Sequence, residues 1–379
     1  MTTHVFIVDA QTFPIHLKYK FAGTGARNAD EHSELLADIK RVRPGDKVIF
    51  YLMGVGFYGI FRISQNSKII NEPDYLLKDL GKKLIYRVFI DYDEVYPNFL
   101  TEWEALDELP VYAQDVIWSL IYRKLKAWRG CTPITIDENA RLVKMLKEKN
   151  SKNAPLNYAN KILDWDPDTQ KIIVSENSQV IYNPTKTSEA IILKNEIQKR
   201  AKKEPNFLEI CKLIKRDFNF PKNSKYESFL QMYFTENIGL ASELDQIAGT
   251  AKDLIWIGNE VACGFGMQKI DILTVLSDVR KNREYRIVEL KVVPIYLEVT
   301  NQLERYVNWT RSYIKGAINS NIQPIVVATK FPENREQSEY WKQVKEALNK
   351  FNTKCIAKPI KYFEFTVEDQ GLSFLEIQY

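Results

Sequence analysis

Residues 283–293, REYRIVELKVV, set an acid and a lysine inside an apolar run. Ile287, Val288, Val292 and Val293 surround Glu289-Leu290-Lys291. The β-branched residues, bounded upstream by Lys281–Asn282, read as a strand, and a strand this apolar belongs inside a sheet. Burying ionised groups without partners costs several kcal/mol, so the two charges need a reason. Strand side chains alternate, which puts Glu289 and Lys291 on one face and Val288, Leu290 and Val292 on the other.

Upstream, Asp271 stands in the same setting, an acid between Ile270 and Ile272 in KIDILTVL. The segment between the two strands, SDVRKNREY, is short enough to make them antiparallel neighbours, with Asp271 beside Glu289 at one end of the sheet. Two carboxylates held together repel each other and demand a cation. Ligands that are all oxygen favour Mg²⁺ or Mn²⁺ over Zn²⁺. A lysine beside them orients a water or stabilises a phosphoryl oxyanion. The plainer alternatives are acids facing water at an edge, or Glu289 simply pairing with Lys291.

From residue 224 onward the pattern runs helix, strands, helix, strand. SKYESFLQMYFTENI is helical; DLIWIGNEVAC, QKIDILTVL and EYRIVELKVV are strands; EVTNQLERYVNWTRSYIKGAI is helical and QPIVVATK is again a strand. This order predicts an α/β unit with a mixed central sheet flanked by helices, in a chain that is α+β overall.

The ordered set GMQKID, IVELK and NQLERY resembles the PD-(D/E)XK nuclease superfamily, and within it the RecB-like and NucS-like branch. That family's signature is an acid in a first helix, G-x-x-x-x-D, E-x-K and Q-x-x-x-Y. It is matched here by Gly266 to Asp271, Glu289-Leu290-Lys291 and Gln302 to Tyr306. The resemblance implies a restriction-endonuclease-like domain over residues 219–379. It implies Mg²⁺ (or Mn²⁺) on Asp271, Glu289 and the backbone carbonyl of Leu290, with Lys291 as the catalytic lysine. Gln302 and Tyr306, one helical turn apart, would line the site or touch DNA. The first-helix acid would be Glu227, with Glu236 in reserve. Ser224-x-x-Glu227 is also a capping box, in which the glutamate merely satisfies a backbone N–H, and both readings stand.

Residues 1–150 carry strand-like runs, HVFIVDA, GDKVIFYLMG, FYGIFRIS and LIYRVFIDYDEVY, followed by two helical patterns. These are VYAQDVIWSLIYRKLKAW and TIDENARLVKMLKEK, the second opened by a Thr135/Glu138 capping box. GVGFYG (54–59) matches G-x-G-x-x-G but leads into a strand. A dinucleotide fingerprint needs a helix there to receive the pyrophosphate, so a turn between strands is expected. This region resembles the PUA-like superfamily that includes EVE and YTH domains. The resemblance implies a small β-barrel whose aromatic pocket holds a modified or flipped base. Phe13, Phe57, Tyr58, Trp103 and Trp118 are the aromatic candidates, each with a place in the core as its ordinary role. The loop FAGTGARN (21–28) is a candidate rim.

Residues 151–218 read as a linker and helical connector. KIIVSENSQVIYNP is hairpin-like, and two Lys/Arg-rich helices carry charge of the kind that ordinarily forms a solvated face. The chain of 379 residues has 45% apolar and 27% charged residues and a net charge of +4, typical of a globular protein. That charge permits nucleic-acid binding without demanding it. Cys131, Cys211, Cys263 and Cys355 are far apart and fit reduced thiols. Three histidines, and no Walker A, HExxH or G-x-S-x-G motif, leave little for histidine or serine chemistry.

The start MTTHVFIVDA lacks a signal-peptide core and no apolar run is long enough to span a membrane. The expectation is therefore a cytoplasmic protein. Joined, the two resemblances imply a metal-dependent DNA endonuclease with an N-terminal reader, acting in modification-dependent restriction. The alternatives are a NucS-like repair endonuclease for mismatched or branched DNA and a catalytically inactive nucleic-acid-binding protein. A homodimer is expected, because a double-strand cut with one active site per chain takes two chains.

Overall fold

The structure is a computed structural model that describes residues 1–25, 32–67, 70–71, 76–84, 86–106, 130–156, 161–175, 225–240, 243–263, 268–331, 334–367 and 372–379. The chain forms two compact units, one holding the described residues up to 175 and the other those from 225 onward. The class is α+β, as the patterns predict. The expected helix 111–128, both Lys/Arg-rich helices, Trp118 and Gly266 lie outside the described residues.

The first unit is built on β1 (Thr3–Val8), β2 (Phe21–Thr24), β3 (Lys47–Leu52), β4 (Gly56–Ile63), β5 (Ile70–Asn71), β6 (Tyr86–Tyr92), β7 (Leu100–Thr101) and β8 (Cys131–Ile134). Its path is β2-β6-β4-β3-β1-β8, with β5 on β6 and β7 on β4. β1 lies parallel to β3 and antiparallel to β8. Around the sheet are helices α1 (Phe13–Lys18), α2 (His32–Lys40), α3 (Glu102–Leu106) and α4 (Ile136–Lys149). The capping box of α4 forms: Thr135 Oγ1 accepts from Glu138 N at 3.2 Å and Glu138 Oε2 accepts from Thr135 N at 2.7 Å. Leu142 and Leu146 of that helix pack on Val5, Ile49, Tyr51, Phe57 and Ile134. GVGFYG is a turn into β4, with Gly54 at φ +76, a left-handed backbone that suits glycine.

KIIV of the expected hairpin becomes β10 (Lys171–Val174), and its partner is β9 (Leu163–Asp166) upstream. The remainder of that expected hairpin lies outside the described residues. This pair belongs to the first unit and not to a free connector: Trp165 Nε1 donates to the Tyr58 hydroxyl at 3.0 Å, and Tyr58 donates to the Gln170 carbonyl at 2.8 Å.

The second unit is a six-stranded mixed sheet, β11 (Leu254–Ala262), β12 (Lys269–Ser277), β13 (Arg283–Leu290), β14 (Ile322–Thr329), β15 (Lys361–Val367) and β16 (Leu372–Ile377), in that spatial order. β13, β14 and β15 run parallel and the outer pairs antiparallel. Three longer helices accompany it: α5 (Lys225–Asn237), α6 (Val299–Tyr313) and α7 (Glu339–Thr353). The alternation read in β13 is realised. Val288 and Leu290 join Ile272, Ile325, Val327 and Phe363 in a core closed by Leu230, Tyr233 and Phe234 of α5. Full burial of each such side chain contributes about 1.5–3 kcal/mol. Among the described residues no helix is long and apolar enough to cross a membrane.

Candidate active site

Register builds the site. β12 and β13 pair Ile272 with Val288, so the next residues outward, Asp271 and Glu289, face each other. On the other side β11 pairs Val261 with Ile270 and Asn259 with Ile272, which sets Glu260 across from Asp271. Three carboxylates therefore cross three adjacent strands in one row, at the end of the sheet where α5 begins.

Lys291 closes one end of that row. Its Nζ lies 2.7 Å from Glu289 Oε1 and 3.2 Å from Glu227 Oε1 in the first turn of α5. Asp271 Oδ2 accepts from the Leu290 backbone N–H at 2.9 Å, and Oδ1 accepts from Gln231 Nε2 at 3.2 Å. The other oxygen of Glu289, Oε2, is buried with no hydrogen-bond partner. At the far end, Lys269 Nζ lies 2.6 Å from Glu260 Oε2. Glu260 itself has φ +49, a left-handed backbone that costs of order 1–3 kcal/mol at a non-glycine residue.

The electrostatics follow from burial. Desolvation raises the Asp271 carboxyl well above its ordinary range; the charge of Glu289 adds to this and that of Lys291 opposes it. Glu289 is likewise raised by burial, against the pull of Lys291. Burial opposes the charge on Lys291, but Glu289, Asp271 and Glu227 outweigh it and lift its pKa. It stays an ammonium at neutral pH, so it acts as a fixed positive charge and not as a general base. When both the Asp271 and Glu289 carboxyls are ionised, Glu289 Oε2 is a buried acceptor with no donor, the condition a cation relieves.

These donors fit a hard divalent ion: Asp271 and Glu289 offer oxygens only, one of them unpartnered. Among the described residues no three Asp, Glu, His or Cys side chains close into a ready ligand cluster. The ammonium of Lys291 stands between Glu289 and Glu227. The cap reading of Glu227 requires Ser224, which lies outside the described residues.

Tyr306 is buried on α6, its hydroxyl pKa raised by burial and then by the charges of Glu289 and Asp271. Gln302 Oε1 accepts from the Tyr296 hydroxyl at 3.2 Å. Tyr296 is raised by burial and feels Lys291, Glu289 and Glu227, so Gln302 meets the centre through it. Gln231, Glu260, Tyr296 and Cys263, whose thiol is pushed up by burial, Glu289 and Asp271, escape motif reading. Gln231 alone carried a signal, one turn beyond Glu227 on the same helix face.

In the first unit the aromatic candidates separate. Phe13, Phe57 and Tyr58 are fully buried. The Phe13 ring packs on Phe50 and Tyr58 with centroids 5.6 and 4.9 Å away, and Phe57 packs on Tyr51 at 4.9 Å. All three rings are enclosed in the packing of the first unit, with no exposed face. Trp103 on α3 is 73% exposed. It borders a hollow of about 340 Å³ with Leu100, Glu104, Met145, Glu148 and Lys149. Of the FAGTGARN rim, residues 26–28 lie outside the described residues.

No known protein family matches the chain, and no curated protein matches it. Solved structures resemble it over the N-terminal 38%. A Pseudomonas putida protein is 16% identical, covered over 98% of its own length, with a TM-score of 0.27. Human THYN1, solved in complex with 5-methylcytosine-containing DNA, is 13% identical, covered over 97%, at 0.28. Rpa0253 from Rhodopseudomonas palustris is 18% identical, covered over 92%, at 0.27.

Proposed function

We propose that the chain is a Mg²⁺- or Mn²⁺-dependent DNA endonuclease whose second unit hydrolyses the phosphodiester and whose first unit, a PUA-like reader, selects the DNA, in modification-dependent restriction. The observation that carries the hydrolytic half is the unpartnered buried oxygen of Glu289 beside Asp271, with Lys291 across it. A bound divalent ion would polarise the phosphate and supply an acidified water. Asp271 and Glu289 would hold that ion, and Leu290 N keeps Asp271 turned toward Glu289. Lys291, held protonated, would neutralise charge on the phosphoryl oxygens. Tyr306 and Tyr296 stand close enough to feel the charges of Glu289 and Asp271.

Incubation with Mg²⁺ or Mn²⁺ and plain, mismatched or cytosine-modified duplexes tests this. Cleavage confined to the modified duplex is expected. Cleavage confined to mismatched or branched DNA would move the role to repair, and binding without any cleavage would reduce the protein to a binder. Lys291→Ala and Glu289→Ala should each lower the rate by about 10²–10³-fold. Undiminished cleavage in both variants would overturn the site assignment.

A further inference from the structure

We infer that Gln231, held by a Glu260 that Lys269 holds in turn, is the positioning residue that fixes Asp271 for cation binding; this rests on the metal reading proposed above. Gln231 is 3% exposed and lies on α5 one turn beyond Glu227. Its Nε2 sits 3.2 Å from Asp271 Oδ1 and 3.4 Å from Glu260 Oε1. An amide nitrogen carries two hydrogens, one for each carboxylate. The reversed amide would set its carbonyl oxygen against the carboxyl oxygens of Glu260 and Asp271 and forfeit both of these donated hydrogen bonds. Glu260 is held in turn by Lys269, in the left-handed backbone that turns it toward Gln231.

With Leu290 N on one oxygen and Gln231 on the other, the plane of the Asp271 carboxylate is fixed, and each oxygen keeps a lone pair for a cation. A neutral donor is the right group here. A lysine would orient Asp271 equally well but cancel the charge that attracts the ion. Lys269 pairs with Glu260 instead, so the Asp271–Glu289 pair has Lys291 as its neighbouring cation and keeps a net negative charge.

The test is Mn²⁺ binding by the full chain without DNA, followed by electron paramagnetic resonance, with melting of the chelated protein beside it. Gln231→Met keeps the volume and removes both donors; it should weaken Mn²⁺ binding by about 10–100-fold, the usual effect of losing an outer-shell partner. Glu260→Gln should weaken it in the same direction, and decides the matter if Gln231→Met does not fold. The chelated Gln231→Met protein should melt no lower than wild type, whereas a purely structural glutamine would lower the melting point and leave Mn²⁺ affinity alone. Wild type that binds Mn²⁺, with both variants within about twofold of it, overturns the inference alone. Wild type that takes up no Mn²⁺ removes the metal reading together with it.

Discussion

Asp271 is the residue on which the centre's electrostatics turn, because burial and Glu289 together favour its neutral form. A carboxyl raised in the folded state binds its proton more tightly folded than unfolded. Its contribution to stability is therefore full in acid and falls as pH rises from the ordinary carboxylate range through the raised one. Asp271→Asn keeps an acceptor for Leu290 N and removes the titration. The variant should match wild type near pH 4 and be increasingly the more stable as pH rises, by about 1.4 kcal/mol for every tenfold change in proton affinity. Melts of chelated protein across pH 4–8 check this; parallel curves would show that Asp271 is not desolvated. Mn²⁺ should reverse the order if, as proposed, it binds the folded wild type and not the variant. Glu289, Asp271 and Lys291 were legible because each interrupts a strand pattern. Glu260 was not: an acid beside Val261 carries no mark of its left-handed backbone or of the register that sets it across from Asp271.

At the scale of elements, β13 makes one strand serve two purposes. Its even-numbered residues Val288 and Leu290 lie in the core against α5, while Glu289 ends in the acidic row. Leu290→Ala should cost about 2–5 kcal/mol through the cavity it leaves. It should also loosen the backbone N–H that holds Asp271, so Mn²⁺ affinity falls together with the melting point. Val288→Ala, one residue pair inward, should lower stability without that loss of affinity, and calorimetry with Mn²⁺ titration separates the two. The alternation that places these residues is a property of the strand itself, which is why it could be read in advance. The aromatic candidates of the first unit could not be sorted that way. Phe57 and Tyr58 are neighbours on β4, and burial of both faces of the sheet hides both rings. The attachment of the β9–β10 pair to β4 likewise runs through the hydrogen bond from Trp165 to the Tyr58 hydroxyl, a contact across more than a hundred residues.

At the scale of the molecule, the proposed reading puts recognition and hydrolysis in different units, so the two should separate under mutation. Trp103→Ala should reduce the preference for one duplex over another by about 1–3 kcal/mol, the worth of stacking a base on an aromatic face. Mn²⁺ binding should be untouched, because no residue of the acidic row belongs to the first unit. Competition binding among plain, mismatched and cytosine-modified duplexes measures this, and unchanged preference would remove Trp103 from the reader's surface.

Strand scission sets a second condition. Among the described residues the second unit brings together one acidic row, Glu260, Asp271 and Glu289, with its lysines, and on the proposed reading one such centre would cut one strand at a time. Closed two-fold pairing is the commonest way for a chain to present two equivalent centres to the two strands of a duplex. Sedimentation should therefore show two chains per cleavable duplex in Mn²⁺, and nicking should precede linearisation of a circular substrate when protein is limiting. A single chain on the DNA, accompanied by complete double-strand cuts, would refute the pairing and require one centre to act twice.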